Sequence, residues 1–430
     1  MKMILIKNLS YLIDKDLKVY ENCDVLIKKE EDGIKKIVGK NLIEKENLNK
    51  SDLKIIDGKN KAGMPGLVNT HTHIPMTLLR GIADDMRLEE WLREKIWPNE
   101  AKLTKEDVYY GSLLGCLEML RFGVTIFNDM YFFAEKVAEA TKEIGLRGVI
   151  SFPIIDVGTP ECENRDKLIR MAENFIKKYK EDKLIKPAIA PHAPYTCSEE
   201  TYKECKEIAD NYGTLLHTHL SETRYEVVEM ENKIGLRPIE YLEKIGVLDN
   251  NVIAAHCVWV TKEEVRKLAK HKVKVSHCPI SNMKLASGGV MPLIEMLNDG
   301  VEITIGTDGV ASNNNLDMLE EIKVCSILHK AHRWDATVGD IDTVLKMAFN
   351  SDALGIENND IVLIDLTAPH LRPIHNIKSN IVYSANGNDV DTVIANGEVL
   401  MENKRFKCID EKFLDKLYEK VDKIKEKFSC

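Results

Sequence analysis

Between two β-textured ends, this chain carries eight short apolar runs that alternate with helix-length amphipathic segments, and this alternation narrows the possible folds more than any other feature. Runs of this kind read as βα units and a parallel sheet. They end near His73, Asp129, Pro153, His192, His219, His256, His277 and Asp308. Eight such units are what a (β/α)8 TIM barrel, an α/β fold, requires. Residues 1–62 hold β-like runs such as Ile4-Leu5-Ile6 and Val25-Leu26-Ile27, broken by polar turns, and residues 357–408 repeat that texture in Ile361-Val362-Leu363-Ile364 and Thr392-Val393-Ile394. Isolated strands cannot bury a core alone. The two ends are therefore predicted to pair into one small discontinuous β-sandwich domain beside a barrel over 63–356. In the tail, 409–430, Leu414, Leu417, Val421, Ile424 and Phe428 recur at spacings of three and four, which predicts a terminal amphipathic helix.

Composition closes off several classes of function. The net charge of −9 is spread over interleaved Lys and Glu, so there is no basic stripe to meet a phosphate backbone, and nucleic acid is excluded as the expected partner. The ten cysteines include no Cys-x-x-Cys pair, which is neither a disulfide framework nor a structural zinc spacing; reduced thiols in a cytoplasm fit best. No stretch reaches the ~18 apolar residues of a membrane span, so no membrane partner is expected.

The chemistry gathers at the ends of the predicted strands. In Pro65-Gly66-Leu67-Val68-Asn69-Thr70-His71-Thr72-His73 an apolar run ends in His-x-His, and strand alternation turns both imidazoles to one face. Two neutral nitrogens on one face make half of a zinc site. With 12 histidines in the chain, chance alone supplies about 0.3 such pairs, and a second pair, His217-Thr218-His219, is present. The pair needs independent support. That support is recurrence: His219, His256 and Asp308 also close predicted strands, and in a barrel these ends converge on one mouth. Each taken singly is as readily a buried structural His or a helix-capping Asp; together they resist that explanation. Glu222, three residues beyond His219, is placed to shuttle a proton, with an exposed first-turn carboxylate as the alternative. His271, His329, His332, His370 and His375 read as surface or packing residues, and His277 is left unassigned.

With Trp97-Pro98-Asn99-Glu100, Ala190-Pro191-His192-Ala193-Pro194-Tyr195, His219-Leu220-Ser221-Glu222-Thr223, Ala255-His256-Cys257 and Gly306-Thr307-Asp308-Gly309-Val310-Ala311-Ser312-Asn313-Asn314 in this order, the chain resembles the amidohydrolase superfamily over nearly its whole length. Within it, the likeness is to the methylthioadenosine/S-adenosylhomocysteine deaminases, including the archaeal 5′-deoxyadenosine deaminases. The resemblance implies that His71, His73, His219 and Asp308 hold one Zn2+ per subunit, ligands that would also suit Fe, Mn or Co. It implies that His256 orients the attacking water, Asp308 accepts its proton and Glu222 protonates the purine ring. It further implies substrate contacts from Glu100, Arg147 and His192 as well as from Glu222 and Asp308, with Arg165 competing for any carboxylate contact. A homotetramer, a nucleoside substrate and a role in salvage of S-adenosylmethionine by-products follow from the same likeness. Predicted strand four ends in Pro191-His192-Ala193-Pro194, without the lysine that is carboxylated in binuclear relatives, so one metal is expected. The stretch Leu354–Ile361 is shorter than is usual in that family. Guanine deaminases and triazine hydrolases share single motifs and supply the competing activity; a noncatalytic scaffold is the reading from outside the enzymes.

Overall fold

The computed structural model describes residues 3–30 and 33–428. Five strands come first: β1 (Met3–Ile13), β2 (Val19–Glu30), β3 (Gly33–Gly39), β4 (Leu53–Asp57) and β5 (Lys61–Pro65). The barrel strands follow: β6 (Leu67–Thr72), β7 (Val124–Met130), β8 (Arg147–Ile154), β9 (Ile185–Pro191), β10 (Leu216–Leu220), β11 (Val252–His256), β12 (Lys274–His277) and β13 (Glu302–Ile305). After the barrel, β14 (Ile361–Asp365), β15 (Val390–Ala395), β16 (Glu398–Glu402) and β17 (Arg405–Phe406) complete the set.

Strands β6 to β13 lie side by side in sequence order, and every neighbouring pair is parallel. Their residues are almost all buried, as befits strands covered by helices outside and packed side chains inside. The ring closes where Asp308 N donates to His71 O at 2.9 Å and Thr70 Oγ1 to Ile305 O at 3.0 Å. Closure depends on Gly306, where a Cβ would stand 2.7 Å from His71 N and 2.8 Å from His71 O; only a glycine lets the two backbones approach so closely. Near the amino ends of the strands, Val68, Ile126, Val149, Ala188 and Ile253 pack with Leu215 and Leu354 as an apolar plug. Helices that follow the strands start on side-chain caps, among them Ser198, Thr223, Thr261 and Asp317, whose oxygens satisfy the first free backbone N–H groups.

The two chain ends form one nine-stranded mixed sheet, in which β14 pairs antiparallel with β5 and β5 pairs parallel with β1. Its core unites the ends directly: Ile4, Ile6 and Val25 cluster with Ile361, Leu363 and Ile394. The short stretch before Ile361 thus brings the chain straight back onto β5. The helix Glu411–Lys425 buries Leu417 and Ile424, and Lys427 Nζ beyond it meets Asp107 at 2.6 Å, so the tail lies against the helix Lys105–Arg121. Among the described residues no helix is long and apolar enough to cross a membrane.

Candidate active site

At the carboxyl ends of the barrel strands, four imidazoles and one carboxylate meet. His71 and His73 come from β6, His219 from β10, His256 from β11 and Asp308 from just beyond β13. Turning the chain there requires unusual backbone: His256 has φ 74° and Asp308 φ 64°. Non-glycine residues in the left-handed region are strained by of order 1–3 kcal/mol, a strain typical of functional sites.

The partner of each outer ring nitrogen decides what the inner one can do. His73 Nδ1 donates to Met130 O at 2.6 Å and His219 Nδ1 donates to His192 O at 2.9 Å. A carbonyl only accepts, so both Nδ1 atoms carry hydrogen, which leaves each Nε2 to offer its lone pair whenever the ring is neutral. These two Nε2 atoms stand 3.3 Å apart. His71 Nδ1 lies 2.9 Å from His217 Nε2, while its Nε2 is buried without a hydrogen-bond partner, 3.4 Å from Asp308 Oδ1. Asp308 Oδ1 is also 3.3 Å from His73 Nε2. Three imidazole nitrogens and a carboxylate oxygen therefore converge on one point, a donor set that suits a divalent metal. Burial pulls His71 down to about 4 and His219 well below the usual histidine range. Burial acts on His73 in the same direction, but the hydrogen bond and charge of Asp308 push it up to about 9.

His256 is different. Asn282 Nδ2 donates to His256 Nδ1 at 3.1 Å and reaches Ser287 Oγ at 3.5 Å. An amide nitrogen only donates, so Nδ1 is the unprotonated atom and Nε2 carries the hydrogen. Burial lowers the His256 pKa and keeps the ring neutral. Its Nε2–H faces Glu222 Oε2 at 3.6 Å. The ring thus presents a hydrogen-bond donor to the cleft, and with His71 and Asp308 it also makes up a second group of side chains whose ligand atoms lie within 4.8 Å of one another.

Asp308 is clamped by Ser281 Oγ at 2.5 Å and Ser312 Oγ at 3.1 Å on Oδ2, and by Gly309 N at 2.7 Å on Oδ1. Glu222 is held through its own backbone: Glu226 accepts from Ser221 N at 2.9 Å and Glu222 N at 2.8 Å. Burial raises the Glu226 carboxyl to about 7. Glu100 ends the short helix Trp97–Glu100 and is buried; its Oε1 accepts from Tyr131 OH at 2.7 Å. Burial pulls His192 down to about 3, so this ring is neutral.

A cleft of about 750 Å³, partly open to solvent, gathers these groups. His73, Glu100, His192, His219, Glu222, His256 and Asp308 all line it, beside an apolar wall that includes Trp91, Trp97, Tyr131 and Phe132. Arg147 does not belong to it. It opens β8 at the amino end, the opposite face of the barrel, where Nη2 pairs with Asp360 Oδ2 at 2.6 Å and Nη1 donates to Glu357 O at 2.5 Å. The expected substrate contact from Arg147 is therefore corrected to a tie between the barrel floor and the return of the chain to β14. Arg165 is engaged by Thr201, Asp166 and Glu204. His277 and His329 are both buried and share one hydrogen bond at 3.1 Å between their Nε2 atoms, a pair of core imidazoles away from the cleft lining.

The profile of the amidohydrolase family matches residues 63–400. The chain belongs to the amidohydrolase family. A 5-methylthioadenosine/S-adenosylhomocysteine deaminase of Thermococcus onnurineus is 46% identical, covering 93% of this chain and 94% of that protein. A 5′-deoxyadenosine deaminase of Methanopyrus kandleri is 49% identical over 82% of this chain and 84% of its own length. Among solved structures, an adenosine deaminase from Xanthomonas campestris with bound zinc superposes with a TM-score of 0.93 at 33% identity, covering 98% of both chains. Amidohydrolases of this fold are what the barrel and its end-sheet match, and this member is an enzyme of the hydrolytic deaminase kind.

Five residues support the site from outside the predicted set, His217, Tyr131, Glu226, Ser281 and Asn282, and the last four carried no motif of their own. His217 alone had a local signal, the second His-x-His. Of the others, Glu226 reaches back along the chain from the helix Arg224–Ile234, Ser281 and Asn282 come from the helix Pro279–Lys284, and Tyr131 follows β7.

Proposed function

We propose that this amidohydrolase removes the 6-amino group of adenosine-type nucleosides by zinc-dependent hydrolysis, releasing ammonia and the inosine analogue. The observation that carries this reading is that buried Glu222 and Glu100 line one cleft with His73, His219, His256 and Asp308, whose ring nitrogens and carboxylate gather with those of His71. The names borne by the relatives support the same substrate class.

One zinc ion held by those four residues would supply a Lewis acid that makes water a nucleophile near neutral pH. Asp308, fixed by two serine hydroxyls and a backbone N–H, takes the proton from the attacking water. The His256 Nε2–H holds the water oxygen in line with the ring carbon. Glu222 protonates the adjacent ring nitrogen as the carbon becomes tetrahedral; Asp308 then passes the proton it took to the amine, which leaves as ammonia as the C–N bond breaks, and the hydroxyl proton returns to Glu222 as the carbonyl forms. Glu100 accepts hydrogen bonds from the ribose diol, and His192 contacts the purine. The relatives' names put 5′-deoxyadenosine, 5′-methylthioadenosine and S-adenosylhomocysteine in this substrate class. The assembly that goes with this reading is a homotetramer.

Ammonia release and the ultraviolet change from adenine to hypoxanthine, measured on zinc-loaded and chelated protein with these three nucleosides, adenosine and free guanine, test the proposal. Nucleoside turnover that chelation abolishes and zinc restores is the expected result. Turnover of guanine alone, or none, overturns the substrate assignment.

A further inference from the structure

Tyr131 follows directly on β7, and its neighbour Met130 supplies the carbonyl that holds the ring of His73. Tyr131 is itself buried, lines the cleft, and sets its ring 6.3 Å from that of His73. Its hydroxyl donates to Glu100 Oε1 at 2.7 Å. Glu100 arrives from a different part of the chain, the segment that follows β6, and this bond is its one side-chain hydrogen bond among the described residues. A buried carboxylate is costly without a donor. Burial raises the Glu100 pKa, and the Tyr131 hydrogen bond is the leading influence that lowers it.

Two consecutive residues thus hold two groups of the cleft, Met130 the ring of His73 and Tyr131 the carboxyl group of Glu100. We infer that Tyr131 is a positioning residue for sugar recognition: it fixes the Glu100 carboxyl group and leaves its second oxygen to accept the vicinal diol of the nucleoside at a set distance from the reacting carbon. The inference rests on the assignment of Glu100 as the diol reader. A tyrosine suits the task because its rigid ring carries a single donor at the end of a long apolar body that the cleft wall packs.

Adenosine and 2′,3′-dideoxyadenosine differ only in the diol, and their steady-state constants with wild type, Tyr131→Phe and Glu100→Ala test the idea. Hydrogen bonds to charged groups are worth about tenfold to a hundredfold in binding, so Tyr131→Phe should raise KM for adenosine by about that factor. Its kcat, and both constants for the dideoxy substrate, should stay within about twofold. Glu100→Ala should abolish the preference for the diol altogether. If Glu100→Ala removes the preference and Tyr131→Phe keeps it, the role of Tyr131 is refuted while the Glu100 reading stands. If Glu100→Ala keeps the preference, the Glu100 reading itself falls. A Tyr131→Phe enzyme that loses both substrates equally also overturns the proposal, since that is the mark of a merely structural residue.

Discussion

The tautomer of His256 rests on one side chain, Asn282, and replacing it separates two physical effects. In Asn282→Asp the carboxylate has no hydrogen to donate to Nδ1 and instead accepts one, which moves the ring proton from Nε2 to Nδ1. The site then loses a preorganised donor aimed at the oxygen that attacks, a loss of roughly 100- to 1000-fold in kcat. In Asn282→Ala the lock is simply absent: one neutral hydrogen bond at 3.1 Å is lost, worth about 1 kcal/mol or some fivefold. Packing alone predicts the reverse order, because Asp matches the volume of Asn and Ala leaves a void in a position that is 5% exposed. Initial rates on 5′-deoxyadenosine at about pH 8, well above the usual histidine range, with zinc content measured on the same samples, decide the matter. An Asp variant as active as the Ala variant, at equal zinc content, would refute the tautomer argument.

Arg147→Ala should leave KM for every nucleoside unchanged, because the residue lies on the opposite face of the barrel, yet destabilise the protein by up to about 3–5 kcal/mol, since it leaves the buried Asp360 with Asn396 N as its remaining donor; urea denaturation alongside kinetics checks both. Glu226 supplies a pH signature. Its carboxyl titrates near 7 in the fold against about 4.3 in an unfolded chain, so between those values the folded state holds a proton that the unfolded state releases. Its contribution to stability is therefore full below about pH 4 and declines as pH rises towards 7. Glu226→Gln should flatten the fall in stability across that window, as read from denaturation midpoints at a series of pH values; an unchanged slope would show that Glu226 is not its source.

Much of this was written in local pattern. Apolar runs separated by amphipathic segments foretell the eight barrel strands because burial on both faces demands continuous Val, Ile and Ala, as in Val252–His256. His71, His73, His219, His256 and Asp308 were legible because strand ends in a barrel share one face, so recurrence at those ends implies meeting in space. Arg147 came from the resemblance and not from that logic: it opens β8, and the start of a barrel strand lies on the face opposite the mouth.

What only the tertiary structure decided is the division of labour among like residues. Four histidines end up around one point, and nothing in their own neighbourhoods in sequence separates ligand from donor. That distinction comes from Met130, His192, His217 and Asn282, which reach the rings from other parts of the chain. The sequence determined by itself which side chains could do chemistry and that they would share one mouth, since both follow from periodicity and residue type. It could not determine which nitrogen carries the proton, nor that Tyr131 would meet Glu100, because a hydrogen bond between distant segments exists only once the packing of the whole barrel has set their separation.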